Sequence, residues 1–282
     1  MGMIVTLVIV LLAVAVGLWW NRRVWRPGQD AGRVSSDGLQ TKEITGPLAT
    51  LAVLLLAFVL VQSFSSWSNA RHAEAREATA SLLLFQEADL IENPRLRQDM
   101  RKQVICYATS VIEQEWPAMR ESRLSNVPSY WSTSIRRTAI RQVRSGADEN
   151  AGSAIIDRDR ERATARQERL AEAEPAVPPL MHALLVLAVA VALVLVSVVT
   201  AKGVGARVHL VVVITAGFVF AATLLLIRDL DQPYDGVNAR EPTRTVYLRG
   251  EMEQEVVGDL PCDARGLPVE SPLFRPQTAE LH

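Results

Sequence analysis

Polar side chains recur at helical spacing at the end of an otherwise apolar stretch of the sequence. These side chains, two amides and two hydroxyls, are Gln62, Ser65, Ser66 and Asn69. Three- and four-residue spacing places them on one face of a helix. Hydroxyls and amides on a pore wall replace part of an ion's hydration shell, whereas the same groups facing a neighbouring helix hydrogen-bond across it. The pattern predicts a pore-lining stripe or a helix-contact stripe, and we call these four residues the polar stripe.

The polar stripe lies at the end of one of four uncharged apolar runs, which are the elements that must position it. The predicted transmembrane helices are helix 1 (residues 3–20), helix 2 (47–67), helix 3 (180–201) and helix 4 (208–228). At ~1.5 Å per residue, each is about long enough to cross a hydrocarbon core of ~30 Å. Backbone groups in lipid must be paired within their own segment, which favours helices. We therefore predict an all-α, multi-pass integral protein of the cell membrane with four transmembrane helices in two pairs.

The stretch between the two pairs predicts a helical extramembrane domain. Residues 1–67 hold helices 1 and 2 with a basic connecting loop, and residues 68–179 hold the inserted domain. No Gly or Pro interrupts the chain from Pro47 to Pro94, so one helix of about 70 Å is expected to leave the bilayer. Residues 180–228 form a transmembrane hairpin. The acidic, Pro-rich tail, residues 229–282, is expected to be largely disordered.

Two charged segments of the predicted domain leave alternatives open. Residues 130–144 mix apolar side chains with arginines, which fits a basic helix lying on anionic lipid or a packed helix with a solvated arginine face. Residues 148–174 are charged nearly all round. Such a helix is either a solvated lead-in to helix 3 or a partner in an oligomeric assembly.

Composition and motifs exclude several classes of function. The net charge is −1, and no segment is basic enough to indicate a nucleic-acid partner. Cys106 and Cys262 stand alone, so neither a disulfide framework nor a zinc site is predicted. No phosphate loop, nucleophile elbow or HExxH motif is present, so we predict no enzyme activity, no catalytic or metal-binding residues and no cofactor. His182 and His209, near the ends of their runs, are expected at the membrane interface.

The number of positive charges that flank the runs is nearly equal on the two sides of the membrane, so these charges do not decide the orientation. An even number of crossings places both termini on one side. If the termini are outside, the inner flanks carry Arg22, Arg23, Arg26, Arg33, Lys42, Lys202 and Arg207. If the termini are inside, the inner flanks carry Arg71, Arg76, Arg166, Arg169, Arg228 and Arg240.

Four short stretches resemble the bacterial bestrophin-like membrane proteins, a family of largely unassigned function. They are Phe64-Ser65-Ser66-Trp67-Ser68 continuing into Ala75-Arg76-Glu77-Ala78, Cys106-Tyr107, Glu115-Trp116-Pro117 and, after helix 4, Leu230-Asp231-Gln232-Pro233-Tyr234-Asp235-Gly236. The last stretch is similar to the family's Leu-Asp-x-Pro-Phe/Tyr-x-Gly signature, here Leu230, Asp231, Pro233, Tyr234 and Gly236.

The two-plus-two layout is similar to that of true bestrophins, which are pentameric anion channels whose second crossing lines the pore. No counterpart of their hydrophobic pore neck or calcium clasp is recognised. The resemblance implies an oligomeric ion channel, with the lipid bilayer, further copies of the chain and small anions as partners, and with termini and central domain in the cytoplasm. The alternative is a non-conducting membrane scaffold or sensor that binds a partner through its helical domain.

Overall fold

The computed structural model describes residues 37–145, 149–201, 206–269 and 278–280, together with six isolated positions between residues 8 and 19. Those six positions are helical. The rest of predicted helix 1, residues 3–20, lies outside the described residues, so this transmembrane helix stays a prediction.

The described chain is built mainly from helices. In chain order they are α1 (Asp37–Glu87), α2 (Pro94–Ser110), α3 (Trp116–Arg120), α4 (Val127–Arg144), α5 (Glu149–Ala171), α6 (Pro179–Ala201), α7 (Ala206–Leu230) and α8 (Thr243–Gln254). A 3₁₀ turn (Ala88–Leu90) follows α1, and a π-helical turn (Val111–Glu115) joins α2 to α3. Strands β1 (Arg123–Ser125) and β2 (Thr278–Glu280) pair antiparallel. A helical fold is confirmed, and this short strand pair is a part that the all-α prediction did not include.

The long helix α1 carries the second apolar run and continues without a break to Glu87, which confirms the predicted single helix. It begins earlier than predicted, because Pro47 lies inside the helix rather than in its first turn. A proline removes one backbone N–H donor from a helix interior. Close to this site Thr50 donates its hydroxyl to the Gly46 carbonyl at 2.9 Å, a side-chain hydrogen bond of the kind that accompanies prolines in membrane helices.

The start of α2 follows from two adjacent residues. The Asn93 side chain accepts hydrogen bonds from the backbone N–H groups of Arg95 at 3.0 Å and Leu96 at 3.4 Å. Pro94 occupies the first helical position, where a missing N–H costs nothing. A side-chain cap of this kind contributes about 1 kcal/mol to helix stability. This local chemistry fixes the start of α2 at Pro94.

The chain divides into two compact units, each described separately. Unit one contains Met1–Ser65 and Ala176–Asp231, and unit two contains Ser66–Pro175 and Gln232–His282. The core of unit one joins the first part of α1 to the antiparallel pair α6 and α7. Its fully or nearly buried side chains include Leu56, Val59, Leu185, Val189, Leu193, Leu224 and Ile227. Helices α6 and α7 pack side by side, and the turn predicted between them, residues 202–205, lies outside the described residues.

Large apolar side chains also cover the outside of unit one. Phe218 is 73% exposed and Val211 is 63% exposed, values that fit a helix surface facing lipid rather than water. Within the described residues, three helices are long and apolar enough to cross a membrane: Thr45–Leu90, Pro179–Thr200 and Arg207–Leu230. Three of the four predicted crossings therefore have a matching helix.

Unit two is a helical domain with its own apolar core. The core contains Leu84, Phe85, Ile91, Met100, Val104, Tyr107, Trp131, Ile135 and Ile155. The arginines of α4, such as Arg137 and Arg144, are exposed on the side away from this core. Helix α4 therefore packs on the core through its apolar face and leaves its arginines exposed, and contact of this arginine face with anionic lipid stays a prediction.

The tail differs from the prediction of a largely disordered segment at residues 229–282. Residues Thr243–Gln254 form α8, which buries Leu248 and Met252 in unit two. The Glu74 carboxylate accepts hydrogen bonds from the Thr245 backbone N–H at 2.9 Å and from its hydroxyl at 3.1 Å, so α1 satisfies donors at the start of α8. A tail with few apolar residues can order itself on a surface that is already folded, which composition alone does not reveal.

A disulfide joins Cys106 of α2 to Cys262 of the tail, so the prediction that no disulfide framework exists is wrong. Nearby, Lys102 donates to the Asp259 carbonyl at 2.8 Å and Trp131 donates to the Gly266 carbonyl at 2.7 Å. These contacts hold the segment around Cys262, residues 259–266, against α2 and α4 beside the disulfide. The two cysteines are 156 residues apart in sequence, so their spacing gave no signal.

Candidate functional site

One face of α1 presents exposed side chains along much of its length. These side chains recur every three or four residues and are Leu51, Leu54, Phe58, Gln62, Ser65, Asn69, His72 and Arg76. We call this face the α1 seam. It is apolar as far as Phe58 and polar from Gln62 onward. Its spacing keeps all eight side chains in one line along the helix.

The polar stripe is divided by the structure. Gln62, Ser65 and Asn69 lie on the α1 seam, whereas Ser66 is 5% exposed and donates its hydroxyl to Glu172 at 3.1 Å. Each residue turns a helix by about 100°, which carries Ser66 away from Ser65 and into unit two. Three of the four predicted residues thus share an exposed face. Their role as pore lining or helix contact stays a prediction.

A buried ion network lies at the centre of unit two, on residues that the stripe did not include. Arg169 of α5 is fully buried and binds two carboxylates. Its Nε donates to Glu77 of α1, and its Nη2 donates to Glu115 at 2.5 Å. Arg166 also binds Glu115, with an Nη2–Oε1 distance of 2.5 Å. The network therefore ties α1, α5 and the π-helical turn together. Of the two alternatives for residues 148–174, the solvated lead-in does not fit, because arginines of α5 bind carboxylates inside the unit, and the role as a partner in an oligomeric assembly stays a prediction.

The π-helical turn places Glu115 for this contact. A π turn adds one residue per turn and is frequent at functional positions in helices. Burial raises the pKa of the Glu115 carboxyl, but the charges of Arg169 and Arg166 outweigh it and hold the pKa below its usual range. Glu115 is therefore ionised, and it is paired rather than left as an isolated buried charge.

Aromatic side chains enclose the same arginine. Trp116 lies 5.1 Å from the Arg169 guanidinium, and the rings of Trp116 and Tyr234 meet edge to face at 5.2 Å. The Tyr107 hydroxyl donates to Glu77 at 2.5 Å. Burial and the negative charge of Glu77 raise the pKa of Tyr107, so its hydroxyl stays protonated and remains a donor.

Residues of several sequence stretches that carried the family resemblance meet around Arg169. Glu77, Tyr107, Trp116 and Tyr234 each belong to one of them. The sequence reasoning missed Arg169 itself. The sequence held one signal, because Arg162, Arg166 and Arg169 recur at the spacing of one helix face. In the structure the first and the last of them are fully buried.

The signature after α7 contributes to both units. In unit one, Leu230 is buried, and the Asp231 carboxylate accepts the Val177 backbone N–H at 2.8 Å. Burial raises the pKa of Asp231, and this hydrogen bond opposes the rise. In unit two, the Pro233 carbonyl accepts the Arg240 N–H at 2.7 Å, and the positive φ of Gly236, 96°, forms the turn beyond Tyr234.

His209 lies near the start of α7, and its interfacial placement in the membrane stays a prediction. His209 is buried in unit one, and its Nδ1 lies 2.8 Å from the Thr200 hydroxyl. The two residues lie at the facing ends of α6 and α7, so the hydrogen bond is a helix-to-helix contact within the hairpin. Among the described residues, no group of three or more His, Cys, Asp or Glu side chains is arranged to hold a metal ion.

Comparisons with known proteins agree with this architecture. The bestrophin-like domain model matches residues 8–244. A crystal structure of a bacterial bestrophin homolog from Klebsiella pneumoniae is similar with a TM-score of 0.65 and 11% identity, covering 89% of this chain and 96% of that chain. A single-substitution variant of that homolog gives 0.66 and 12%, with 90% and 96% covered. No curated protein matches the chain in sequence.

The apolar helices and the inserted helical unit define a helical membrane protein with the fold of bacterial bestrophin homologs. Because the family model covers most of its length, the chain belongs to the bestrophin-like family. The family resemblance found in the sequence is confirmed.

Proposed function

We propose that the chain is one subunit of an oligomeric membrane channel for small ions, with four crossings in two pairs. The observation that carries this proposal is the α1 seam. It keeps an apolar section and a polar section exposed on one continuous line of a single chain. A few helices of one chain rarely enclose a pore, so copies of the seam around an axis would form its wall.

The two sections of the seam have different roles in such a pore. Apolar rings from Leu54 and Phe58 would form a constriction that gates by dewetting, and Gln62, Ser65 and Asn69 would replace ion hydration beyond it. The charged or chargeable seam residues are His72 and Arg76, and the seam carries no carboxylate. Arg76 pairs with Glu168 of α5 at 2.7 Å, which balances its charge, so the proposed preference for small anions rests on the family resemblance rather than on the sign of the seam.

A non-conducting scaffold or sensor is the second candidate, and one feature of unit two favours it. A groove of about 630 Å³ lies between α1 and α5. Its wall combines apolar and small side chains such as Ala75, Leu83 and Ala165 with the charges of Arg160 and Glu161. Grooves of this composition bind peptides or small molecules.

The two candidates are separated by flux through liposomes that contain the purified protein. We compare the parent with Gln62→Leu and Asn69→Leu, and use Gln98→Leu as the matched control, because Gln98 is an exposed amide of α2 that lies off the seam. The proposal expects an assembly of several copies in mild detergent and a changed rate or selectivity in both seam variants alone. A well-folded monomer or dimer, or flux equal in all variants, contradicts it.

The orientation we propose places the termini and unit two on the oxidising side of the cell membrane. Disulfides persist in oxidising compartments and are rare in the cytosol, so the Cys106–Cys262 bond supports this side over the cytoplasmic placement that the resemblance implies. The flanking arginines and lysines, nearly balanced, permit it.

Labelling in intact cells tests the orientation. Val257, which is 89% exposed, is replaced by cysteine in a chain whose Cys106 and Cys262 are changed to alanine. A membrane-impermeant maleimide is expected to label this cysteine without permeabilisation. Labelling that requires permeabilisation would place unit two in the cytoplasm.

A further inference from the structure

Arg240 of unit two has an unpaired hydrogen-bonding edge. The Arg240 guanidinium lies 3.3 Å above the centre of the Trp67 ring of α1. Its Nε and Nη2 atoms are shielded from solvent and have no hydrogen-bond partner within the part of the chain that the structure describes. These two nitrogens share one edge of the guanidinium, the edge that binds two oxygens of a carboxylate or phosphate at once. A shielded charged donor without a partner is costly.

The backbone holds this arginine in place. The Arg240 N–H donates to the Pro233 carbonyl at 2.7 Å, and the Arg240 carbonyl accepts the Trp116 indole N–H at 2.9 Å. The Trp67 indole N–H donates to the Asn238 carbonyl at 3.1 Å. The stacked pair is therefore preorganised, which reduces the ordering cost of binding a ligand.

A second cation lies beside the pair. Arg71 follows Trp67 by one helical turn on α1, which places the two side chains on the same face. Burial, together with the positive charge of Arg71, lowers the pKa of Arg240, so the two guanidinium groups are close enough to repel each other. Two nearby carboxylates are engaged elsewhere: Glu74 binds Thr245, and Glu241 lies 4.0 Å from Arg120.

We propose that Arg240, Arg71 and Trp67 form a binding site for one phosphate group. Two neighbouring cations attract an anion, and the unpaired edge of Arg240 has the donor geometry that binds two phosphate oxygens. The phosphate comes from a lipid headgroup or from free phosphate. Trp67 is the last residue of predicted helix 2 (47–67), at the end of a crossing, where indoles and arginines contact headgroups.

Ligand titration of the purified, delipidated full chain tests the site. The probes are a short-chain phosphatidylglycerol, a diacylglycerol with the same acyl chains and no phosphate, and inorganic phosphate. Binding is read from native mass spectra and from the shift of the thermal unfolding midpoint. Lipid binding that inorganic phosphate does not displace identifies a headgroup site, and direct binding of inorganic phosphate identifies a free-phosphate site.

The variants separate the site from general charge effects. Arg240→Lys keeps the charge but loses the two-donor edge, so phosphate affinity is expected to fall about 10-fold or more. Arg71→Gln, at an exposed position, is expected to weaken binding about fivefold. Arg144→Gln, at an exposed position at the end of α4, removes the same charge away from the site and is expected to leave the phosphate affinity unchanged. Equal affinity in the parent, Arg240→Lys and Arg71→Gln overturns the proposal, as does diacylglycerol binding as tightly as phosphatidylglycerol.

Discussion

Arg169 and Glu115 form an ion pair in which both side chains are completely buried, with 2.5 Å between Nη2 and Oε2. The pair joins α5 to the π-helical turn, and Glu77 extends it to α1. Removing one partner leaves a buried charge without compensation, which costs far more than the intact pair contributes. The family-like stretches of the sequence are arranged around this pair, so unit two depends on it for its internal structure.

Replacing Arg169 by glutamine is expected to destabilise unit two by about 3–5 kcal/mol, because Glu115 and Glu77 lose a shared buried partner. Thermal unfolding of the purified protein in detergent measures the change. The control is Arg160→Gln on the same helix, whose pair with Asp157 is exposed (71% and 65% for the two side chains) and contributes at most about 1 kcal/mol. Similar losses in both variants would contradict the assigned role of the buried pair.

Acid is expected to destabilise unit two through Glu115. Its folded-state pKa is lowered, so its contribution is complete above the unfolded-state value of about 4.3 and is lost as the pH falls through the folded-state pKa. The unfolding midpoint should therefore fall with acidification below about pH 4. Glu115→Gln should be less stable than the parent at neutral pH and should lose less stability on acidification. An acid dependence as steep as that of the parent would assign the effect to other carboxylates.

Reduction of the Cys106–Cys262 bond is expected to lower the stability of unit two by about 2–4 kcal/mol, because the bond closes a very long loop of the unfolded chain. Unfolding with and without reductant measures this difference. The Cys106→Ala and Cys262→Ala variants should each behave like the reduced parent, and reductant should change neither. A parent whose thiols react with maleimide without reductant would show that the bond does not form.

Gly266→Ala is expected to cost about 1–3 kcal/mol, because Gly266 has a φ of +76° and an added Cβ would lie 2.6 Å from the backbone of Ser110. The variant should also form the disulfide more slowly, since the same loop presents Cys262. Gly250→Ala is the matched control. Gly250 lies inside α8 with nothing within 4 Å of an added Cβ, so alanine should stabilise the chain by up to about 1 kcal/mol. If Gly266→Ala were no less stable than Gly250→Ala, the tight contact between Gly266 and Ser110 would be contradicted.

The sequence by itself determined the apolar helices, the long continuation of α1 and the pairing of α6 with α7. Each of these follows from local information: the length of an uncharged run, the absence of Gly and Pro up to Pro94, and a short turn between two runs. The same local reasoning placed Gln62, Ser65 and Asn69 on one face. It could not separate Ser66 from them, because the difference depends on Glu172, a residue far along the chain.

Only the tertiary structure decided which charges are buried and how the tail is held. Arg169 binds Glu77 across 92 residues of sequence, and Cys106 binds Cys262 across 156. From sequence alone, a charged helix is predicted to be solvated and an acidic tail to be disordered. The free energy of burying a charge, or of ordering a segment with few apolar residues, depends on partners that folding brings together. Those partners are set by packing in three dimensions, and neither composition nor periodicity encodes that packing.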